Sequence, residues 1–184
     1  MKESVIAMNT PINHLTAGFI GLGLIGGSIA EKLEQAHADG IVDLILDGVD
    51  EHLSKCDIIF LCTPVEFNES YLRQIRPFLK EGAVVTDVGS TKTSIHETVA
   101  ALGMESCFVG GHPMAGLEHS GFTYAKKSLF NNASMIFTTT KGPIESISRL
   151  KDLFTSIGFT NIEITTPEEH DKRIAFTSQL AHVV

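Results

Sequence analysis

The sequence has few basic residues for its length: 14 Lys and Arg stand against 22 Asp and Glu, which gives a formal net charge of -8. Proteins that bind nucleic acid along its phosphates need clustered Lys and Arg to displace counterions, so this balance argues against DNA and RNA as partners. It does not argue against a small anionic ligand, because such a ligand needs only local backbone N–H groups and one or two cations. A binding site must therefore be sought in local motifs.

Long apolar runs and paired cysteines are also missing. No run approaches the ~18 apolar residues that a helix needs to span a bilayer, and residues 1–16 are a polar leader without the apolar stretch of a signal peptide. The three cysteines, Cys56, Cys62 and Cys107, are odd in number, lack CxxC spacing and lie beside apolar residues. We therefore expect buried thiols in a reducing compartment, a cytoplasmic protein and no membrane partner.

What the sequence does contain is an alternation of apolar strands and amphipathic helices. With 43% hydrophobic and 20% charged residues over 184 positions, it is typical of one globular α/β domain. Strands are predicted at residues 15–20, 57–64, 83–88, 106–109, 133–139 and 161–164, and helices at 69–79, 91–102 and 144–157. This order predicts a doubly wound, mostly parallel sheet.

A glycine-rich turn follows the first predicted strand, in the sequence Gly-Leu-Gly-Leu-Ile-Gly at 21–26. Gly21 permits the tight turn, Gly23 lets the backbone approach a pyrophosphate, and Gly26 lets the next helix pack closely on the sheet. We therefore predict a Rossmann-type dinucleotide-binding domain over residues 1–165. The expected cofactor contacts are Gly21, Gly23, Leu24, Ile25 and Gly26 in the turn, and Thr63 and Pro64 after the second predicted strand.

The acidic residue that normally binds the ribose about 20 positions after the turn is ambiguous. In one interpretation, residues 41–47 form the second strand of the fold and Asp47 is this acid. In the other, residues 31–40 are the helix that follows that strand, and a stretch of roughly 20 residues is missing between Ala30 and Glu31. Because this acid decides between NAD and NADP, the sequence leaves the choice of cofactor open.

A further helix is predicted to begin at Thr166, since Thr-Pro-Glu-Glu at 166–169 is a capping box with proline at the first helical position. The sequence stays apolar at helical spacing from residue 174 to Val184 and has no cap there. We expect residues 166–184 to be the first helix of a second, helical domain that this sequence covers only in part.

Three further segments carry a resemblance to a known family. They are Asp-Val-Gly-Ser-Thr-Lys at 87–92, Gly-His-Pro-Met-Ala-Gly at 111–116 and Thr-Ser-Gln-Leu-Ala-His at 177–182. Together with the glycine turn, these segments resemble, in order and spacing, the signature motifs of prephenate and arogenate dehydrogenases over residues 18–184. The HPMAG sequence is the most specific of them. The resemblance also favours the interpretation in which residues are missing after Ala30.

The resemblance implies oxidative decarboxylation of prephenate to 4-hydroxyphenylpyruvate, with hydride transfer to NAD, in tyrosine biosynthesis. Arogenate is the alternative substrate, and NADP is not excluded as the cofactor. A homodimer formed through the helical domain is also implied, and that domain would supply an arginine for the substrate carboxylate. A non-catalytic dinucleotide sensor is the alternative outside enzymes, but it would have no reason to keep His112 and Ser90. A 3-hydroxyacid-type dehydrogenase would need a catalytic lysine on a later helix, for which Lys172 is a poor candidate.

The same resemblance assigns roles at the carboxyl ends of the strands. His112 matches the catalytic histidine, whose neutral imidazole would accept the substrate hydroxyl proton near pH 7, and Ser90 would orient that hydroxyl or the imidazole. Lys92 would steady its loop or an anionic group. The expected substrate-binding residues are Lys92, Glu118, Gln179 and His182. Alternatives stay open for three residues: a structural hydrogen bond for His112, an N-cap for Ser90 and a solvated carboxylate for Glu118.

The chain departs from the family pattern near its end, where Gln179 replaces a common histidine and Ala181 a common proline. His170 and Asp171 resemble a frequent family pattern, but a charge cluster at a helix entry explains them equally well. Arg173 is the nearest candidate for a carboxylate-binding arginine and is not assigned that role. The eight histidines show no HxxxH or Cys/His cluster, so no metal site is expected.

Overall fold

A computed structural model describes residues 5–10, 15–21, 44–46, 48–116, 124, 126, 128–142 and 144–176. The strands are β1 (Val5–Thr10), β2 (Leu15–Ile20), β3 (Leu44–Leu46), β4 (Ile58–Leu61), β5 (Val84–Asp87), β6 (Phe108–Met114), β7 (Ser134–Thr138) and β8 (Asn161–Thr165). The helices within these ranges are α1 (Val65–Ile75), α2 (Thr93–Ala101), α3 (Ile144–Ser156) and α4 (Pro167–Ile174), with 3-10 helices at Glu51–Lys55 and Arg76–Phe78.

The strands form one eight-stranded sheet in the order β3-β1-β2-β4-β5-β6-β7-β8. Strands β2, β4, β5 and β6 are parallel to one another, and β7 is parallel to β8. The β6–β7 pair is antiparallel, and β1 runs antiparallel to both β2 and β3. The predicted α/β architecture with a mostly parallel sheet is confirmed. Because four neighbouring strands are parallel, their carboxyl ends share one edge of the sheet, where this class of fold binds its ligands.

Two apolar layers, one on each face of the sheet, hold the helices in place. On one face, the rings of Phe19 and Phe60 stack with centroids 4.7 Å apart and meet Phe154 of α3. On the other face, Leu72 of α1 and Val99 of α2 are fully buried in the second layer. All four residues of β4 are buried, which explains why its sequence is apolar without alternation.

The sequence-based prediction missed β1. Residues 1–16 were expected to be a polar leader, but Val5–Thr10 pairs with β2 along its whole length, with Val5 opposite Ile20. A short apolar stretch does not by itself reveal such pairing, because the partner strand lies elsewhere in the sequence.

The structure also bears on the two interpretations of residues 41–47. Leu44–Leu46 does form a strand, but it pairs with β1 and not with β2, so it is not the second parallel strand beside the glycine turn. Asp47 and the junction between Ala30 and Glu31 lie outside the described residues.

Three boundaries differ from the prediction near the edge of the sheet: both ends of α1 and the end of β6. Helix α1 begins at Val65 rather than at residue 69 and ends at Ile75, before the 3-10 turn Arg76–Phe78. Pro77 has no backbone N–H to continue the helix, so the apolar spacing that extended the prediction to residue 79 ran past the true end. Strand β6 extends through His112, which was expected to follow the strand.

The cysteines agree in part with the expectation of buried thiols. Cys56, Cys62 and Cys107 are free thiols; Cys56 is buried and the other two are partly buried. In the ranges that the structure describes, no helix combines the length and the apolar character needed to cross a membrane.

Candidate active site

The turn that leaves β2 begins at Gly21, which has φ +88°, a left-handed conformation that favours glycine. A Cβ atom at this position would lie 2.9 Å from the carbonyl oxygen of Cys62 and 2.9 Å from Cγ2 of Thr63. Glycine is therefore needed both for the backbone conformation and for the close passage over the end of β4. Gly21 thus has a backbone conformation that suits the predicted tight turn, whose remaining residues lie outside the described ones.

Thr63 and Pro64 lie beside this turn, at the carboxyl end of β4. The Thr63 hydroxyl donates a hydrogen bond to Oδ1 of Asn68 at 3.2 Å, and Pro64 is the N-cap residue of α1. Both predicted cofactor contacts thus stand at the edge of the sheet where a dinucleotide is expected. The other predicted contacts, Gly23, Leu24, Ile25 and Gly26, lie outside the described residues.

A buried ion pair closes the loop that follows β5. The Lys92 ammonium contacts the Asp87 carboxylate, and both side chains are fully buried. The N–H of Gly89 donates to Oδ2 of Asp87 at 2.9 Å, and the N–H of Gly111 donates to Oδ1 at 3.1 Å. Burial lowers the pKa of Lys92, while the charge and hydrogen bond of Asp87 oppose that effect. Each buried charge is therefore compensated by the other.

This arrangement corrects the expectation that Lys92 binds the substrate. Its side chain has no exposed surface, and its ammonium is committed to Asp87. The charge of Lys92 can therefore act on a ligand at the edge of the sheet, but its N–H groups do not donate hydrogen bonds to that ligand. The structure supports the other role considered for this lysine, which is to steady its own loop.

Two consecutive glycines let β6 pass closely over the buried ion pair. A Cβ atom on Gly111 would lie 2.5 Å from the carbonyl oxygen of Asp87, and one on Gly110 would overlap Oγ1 of Thr138. The Gly-Gly sequence is thus a packing requirement, and it directly precedes His112. Beyond the end of its pairing with β5, strand β6 carries His112 to the carboxyl edge of the sheet, where it lies opposite Ile136 of β7.

His112 is the first member of a row of hydrogen-bonded side chains. Its Nδ1 lies 2.8 Å from Nε2 of His170, and Nδ1 of His170 lies 2.8 Å from Oδ1 of Asp171. His170 is only 1% exposed, whereas His112 is partly exposed. We refer to His112, His170 and Asp171 as the histidine–aspartate row. The row runs from the partly exposed Asp171 through the buried His170 to His112 at the edge of the sheet.

Asp171 also holds helix α4 against the start of α2. Its Oδ1 accepts the backbone N–H of Lys92 at 2.8 Å, and its Oδ2 accepts that of Thr93 at 2.8 Å. The N-cap residue of α2, Lys92, makes no side-chain cap, so Asp171 satisfies N–H groups that would otherwise lack partners. Partial burial raises the pKa of Asp171, but the hydrogen bonds from Thr93, His170 and Lys92 outweigh it and lower that pKa to about 2. Asp171 is therefore a carboxylate at neutral pH.

The surroundings of His112 keep its imidazole neutral. Burial, the Lys92 ammonium and His170 together lower the pKa of His112 to about 4, against an opposing effect of Asp171. A histidine with this pKa is unprotonated at pH 7. A neutral imidazole carries one N–H and one lone pair, so His112 offers an acceptor nitrogen at the edge of the sheet.

Ser90 and the remaining predicted residues have different outcomes. Ser90 is exposed, and within the described part of the chain no hydrogen bond joins it to His112. It is not the N-cap of α2, because that helix begins at Thr93 with Lys92 at the cap position. Its role toward the substrate stays a prediction. Glu118, Gln179 and His182 lie outside the described residues.

The sequence-based prediction undervalued His170 and Asp171. The pattern Glu-Glu-His-Asp at 168–171 was explained equally well by the entry of a helix, yet the structure joins His170 to His112 across 58 positions of sequence. The signal was present in the resemblance of this pattern to the family. Across the described ranges, no group of three or more His, Cys, Asp or Glu side chains is arranged to hold a metal ion.

Comparisons with known proteins agree with this architecture. Residues 23–163 match the family model described as prephenate dehydrogenase, nucleotide-binding domain. A prephenate dehydrogenase of Lactococcus lactis subsp. cremoris is 35% identical over 186 residues, which cover 90% of this chain and 50% of that protein. An alignment longer than the 184-residue chain that still covers only 90% of it includes positions where this chain has no residue. This agrees with a missing internal stretch, although it does not locate one.

Two solved structures are similar in fold and in sequence. Synechocystis arogenate dehydrogenase has a TM-score of 0.76 and 33% identity, covering 88% of this chain and 63% of that one. Prephenate dehydrogenase from Aquifex aeolicus, solved with hydroxyphenyl propionate and NAD+, has a TM-score of 0.80 and 27% identity, covering 90% of this chain and 64% of that one.

The chain spans half the length of the Lactococcus relative and less than two thirds of the two similar structures. The family model covers residues 23–163, from the glycine-rich segment into β8. This chain belongs to the family of prephenate dehydrogenase nucleotide-binding domains.

Proposed function

We propose that the whole protein oxidises and decarboxylates prephenate to 4-hydroxyphenylpyruvate, with NAD as the hydride acceptor. The family membership and the named relatives support this reaction. The observation that carries the proposal is the position and state of His112: a neutral imidazole at the carboxyl edge of a parallel sheet that also bears the glycine turn. A purely dinucleotide-sensing module would not need such a proton acceptor.

The residues at the ends of β2 and β4 fit a dinucleotide. Gly21 has the left-handed conformation and the close approach to Cys62 and Thr63 that a phosphate-binding turn needs, and any side chain would fill that space. Gly21, Thr63 and Pro64 would hold the cofactor together with Gly23 to Gly26. When bound, NAD supplies the acceptor for the hydride from C4 of the substrate. NADP stays an alternative, because no described residue identifies the ribose ligand.

His112 would manage the proton of the substrate hydroxyl at C4. The O–H bond breaks as an N–H bond forms on the imidazole, and the oxygen becomes a carbonyl as the hydride leaves C4. Loss of the ring carboxylate as CO₂ then returns an electron pair to the ring, and the aromatic oxygen recovers the proton from His112. Ser90 would orient the hydroxyl, and the expected ligands of the rest of the substrate are Glu118, Gln179 and His182.

The choice of substrate and the assembly go beyond the described residues. Arogenate is the alternative substrate, and the similarity to Synechocystis arogenate dehydrogenase supports keeping it. We further propose that residues 166–184 begin a helical domain that forms a homodimer and supplies the arginine for the substrate carboxylate. The free thiols agree with a cytoplasmic location.

The test is an assay of the full-length protein with prephenate and arogenate, each with NAD and NADP, for wild type and His112→Asn. We expect prephenate-dependent NADH formation, and a kcat about 10²- to 10⁴-fold lower in the variant with unchanged NAD affinity. The matched control is His52→Asn, which changes an exposed histidine far along the sequence and should leave kcat unchanged. Absence of turnover with all four substrate–cofactor pairs, or near-normal kcat in His112→Asn, would refute the proposal.

A further inference from the structure

The hydrogen bonds of the histidine–aspartate row determine which nitrogen of each histidine carries a proton. The Asp171 carboxylate is ionised and can only accept hydrogen bonds. Its contact with Nδ1 of His170 at 2.8 Å therefore requires that this nitrogen carry the proton. The backbone N–H groups of Lys92 and Thr93 hold the same carboxylate in place from the other side.

The direction of the next bond follows from the first. With a single ring proton, which the Asp171 carboxylate places on Nδ1, His170 has a lone pair on Nε2. The 2.8 Å contact between this atom and Nδ1 of His112 is a hydrogen bond only if His112 donates. The proton of His112 is then on Nδ1, and its Nε2 is left with the lone pair.

We propose that His170 and Asp171 are positioning residues that hold His112 in the Nδ1–H tautomer, so that Nε2 accepts the proton of the substrate hydroxyl. The function of this tautomer rests on the dehydrogenase activity proposed above, whereas the tautomer itself does not. In the reaction, the O–H bond of the substrate breaks and an Nε2–H bond forms on His112. The positive charge that develops on His112 is stabilised through His170 by the Asp171 carboxylate.

A histidine held by an aspartate in the correct tautomer is a known requirement of the Ser-His-Asp hydrolases, where the Asp-to-Asn change leaves the geometry intact and inverts the tautomer. The row in this chain differs by one inserted imidazole, so the direction of two hydrogen bonds is set by one carboxylate. His170 and Asp171 are neighbours on α4, and the bonds from Lys92 and Thr93 to Asp171 dock that helix on the start of α2, with His170 beside His112. The docking of α4 and the tautomer of His112 are thus linked through a single side chain.

A merely structural role makes a different prediction. If Asp171 served only to cap α2, its removal would weaken the docking of α4 and leave the tautomer of His112 unchanged. Asp171→Asn separates the two roles when the amide oxygen takes the place of Oδ2 and accepts the N–H of Thr93. The amide NH₂ then takes the place of Oδ1 and donates toward His170, and the bond from the N–H of Lys92 is lost. In the proposed row this reverses both hydrogen bonds and leaves a proton on Nε2 of His112.

His170 offers a matched pair of variants. His170→Gln keeps an acceptor that can face His112 and a donor that can face Asp171, so it should preserve the direction of the row. His170→Leu fills a similar space without either group and leaves Nδ1 of His112 without a partner. Because His170 is almost completely buried, both variants are checked for folding by circular dichroism and thermal unfolding before use.

The experiment measures imidazole ¹⁵N chemical shifts and steady-state kinetics on the full-length protein. We expect the Nδ1–H tautomer of His112 in wild type and His170→Gln, and the Nε2–H tautomer in Asp171→Asn. We expect kcat to fall about 10²- to 10⁴-fold in Asp171→Asn and in His170→Leu, with KM for prephenate changing less than about threefold, and to be largely retained in His170→Gln.

Three results would overturn the proposal: an Nε2–H tautomer in wild type, an unchanged tautomer in Asp171→Asn, or an inverted tautomer with normal kcat. If wild type shows the Nδ1–H tautomer and Asp171→Asn inverts it, but no dehydrogenase activity is found with any substrate, the proposed function fails while the row stands. The ¹⁵N measurement therefore distinguishes failure of the positioning role from failure of the reaction.

Discussion

Two carboxylates hold the segment that joins β5 to α2, and they do so by different means. Asp87 is fully buried, is paired with the Lys92 ammonium and accepts N–H groups from Gly89 and Gly111. The side chain of Asp171 is 27% exposed, is held by backbone N–H groups and is bonded to Nδ1 of His170. The first arrangement ends at Lys92 and the two glycines, and we call Asp87 and Lys92 the closed pair. The second arrangement continues through His170 to His112.

The difference separates a structural role, that of the ion pair, from the proposed positioning role of the histidine–aspartate row. A buried ion pair compensates its own charge, so it fixes the loop without presenting a donor or acceptor to a ligand. A carboxylate bonded to one nitrogen of a neutral imidazole fixes the ring proton on that nitrogen. The second nitrogen is then an acceptor for the next residue in the row. The ion pair still acts on the site, because the Lys92 ammonium contributes to the low pKa of His112.

The largest expected effect on stability comes from breaking the ion pair between Asp87 and Lys92. Lys92→Met removes the ammonium and leaves Asp87 as an unpaired buried charge, which should lower the free energy of unfolding by about 3–5 kcal/mol. Urea unfolding of the full-length protein measures this loss. The control is the double variant Asp87→Asn with Lys92→Met, which should recover most of it because no buried charge remains. A single variant within about 1 kcal/mol of wild type would mean that the pair is not a structural element.

A smaller loss of stability is expected from a substitution that crowds the backbone beside the ion pair. Gly111→Ala places a methyl group 2.5 Å from the carbonyl oxygen of Asp87, a backbone atom that cannot move away easily. Such overpacking costs about 1–3 kcal/mol, to be measured as a lowered urea midpoint. Gly116→Ala is the matched control in the same motif, since a Cβ there meets no atom of the described residues within 4 Å. Equal stability of the two variants would contradict the close passage of β6 over Asp87.

The next prediction concerns the electrostatic influence of the closed pair on the row. His112 should titrate near pH 4 by NMR, and the acid limb of kcat/KM should lie there as well, because the imidazole is neutral above its pKa. An unfolded histidine titrates near 6.5, so the unfolded chain binds more protons between about pH 4 and 6.5, and this residue makes stability rise with pH across that window.

The double variant Asp87→Asn with Lys92→Met tests the cause of that pKa. Without the Lys92 ammonium, the pKa of His112 should move upward, and the acid limb of kcat/KM should move with it. His170 and Asp171 are unchanged in this variant, so the row should keep its direction. A titration near 6.5 already in wild type would show that burial and Lys92 do not act on His112 as the structure indicates.

The closed pair and the row also mark the limit of what the sequence could predict. The apolar run that became β4 predicted a strand buried on both faces, and Gly21 predicted its turn, because each signal is local. The burial of Lys92 was not predictable from its position after a strand, since it depends on how the loop folds back on Asp87. His170 meets His112 through the docking of α4, a contact between distant residues that no spacing encodes.

The smallest expected effect comes from a residue on α4, the helix that carries His170 and Asp171. Arg173, two residues after Asp171, contacts the carboxylates of Glu163 and Glu169, and its side chain is 52% exposed. Exposed ion pairs contribute little to stability, because water and salt screen them and long side chains lose freedom in forming them. Arg173→Ala should therefore leave the urea midpoint, the kcat and the KM for prephenate within experimental error, whereas Asp171→Asn should lower kcat. Because Glu163 and Glu169 contact its guanidinium, we expect a cation other than Arg173 to bind the substrate carboxylate. A KM for prephenate raised about tenfold or more in Arg173→Ala would instead extend the functional surface of α4 beyond the row and assign the carboxylate to this arginine.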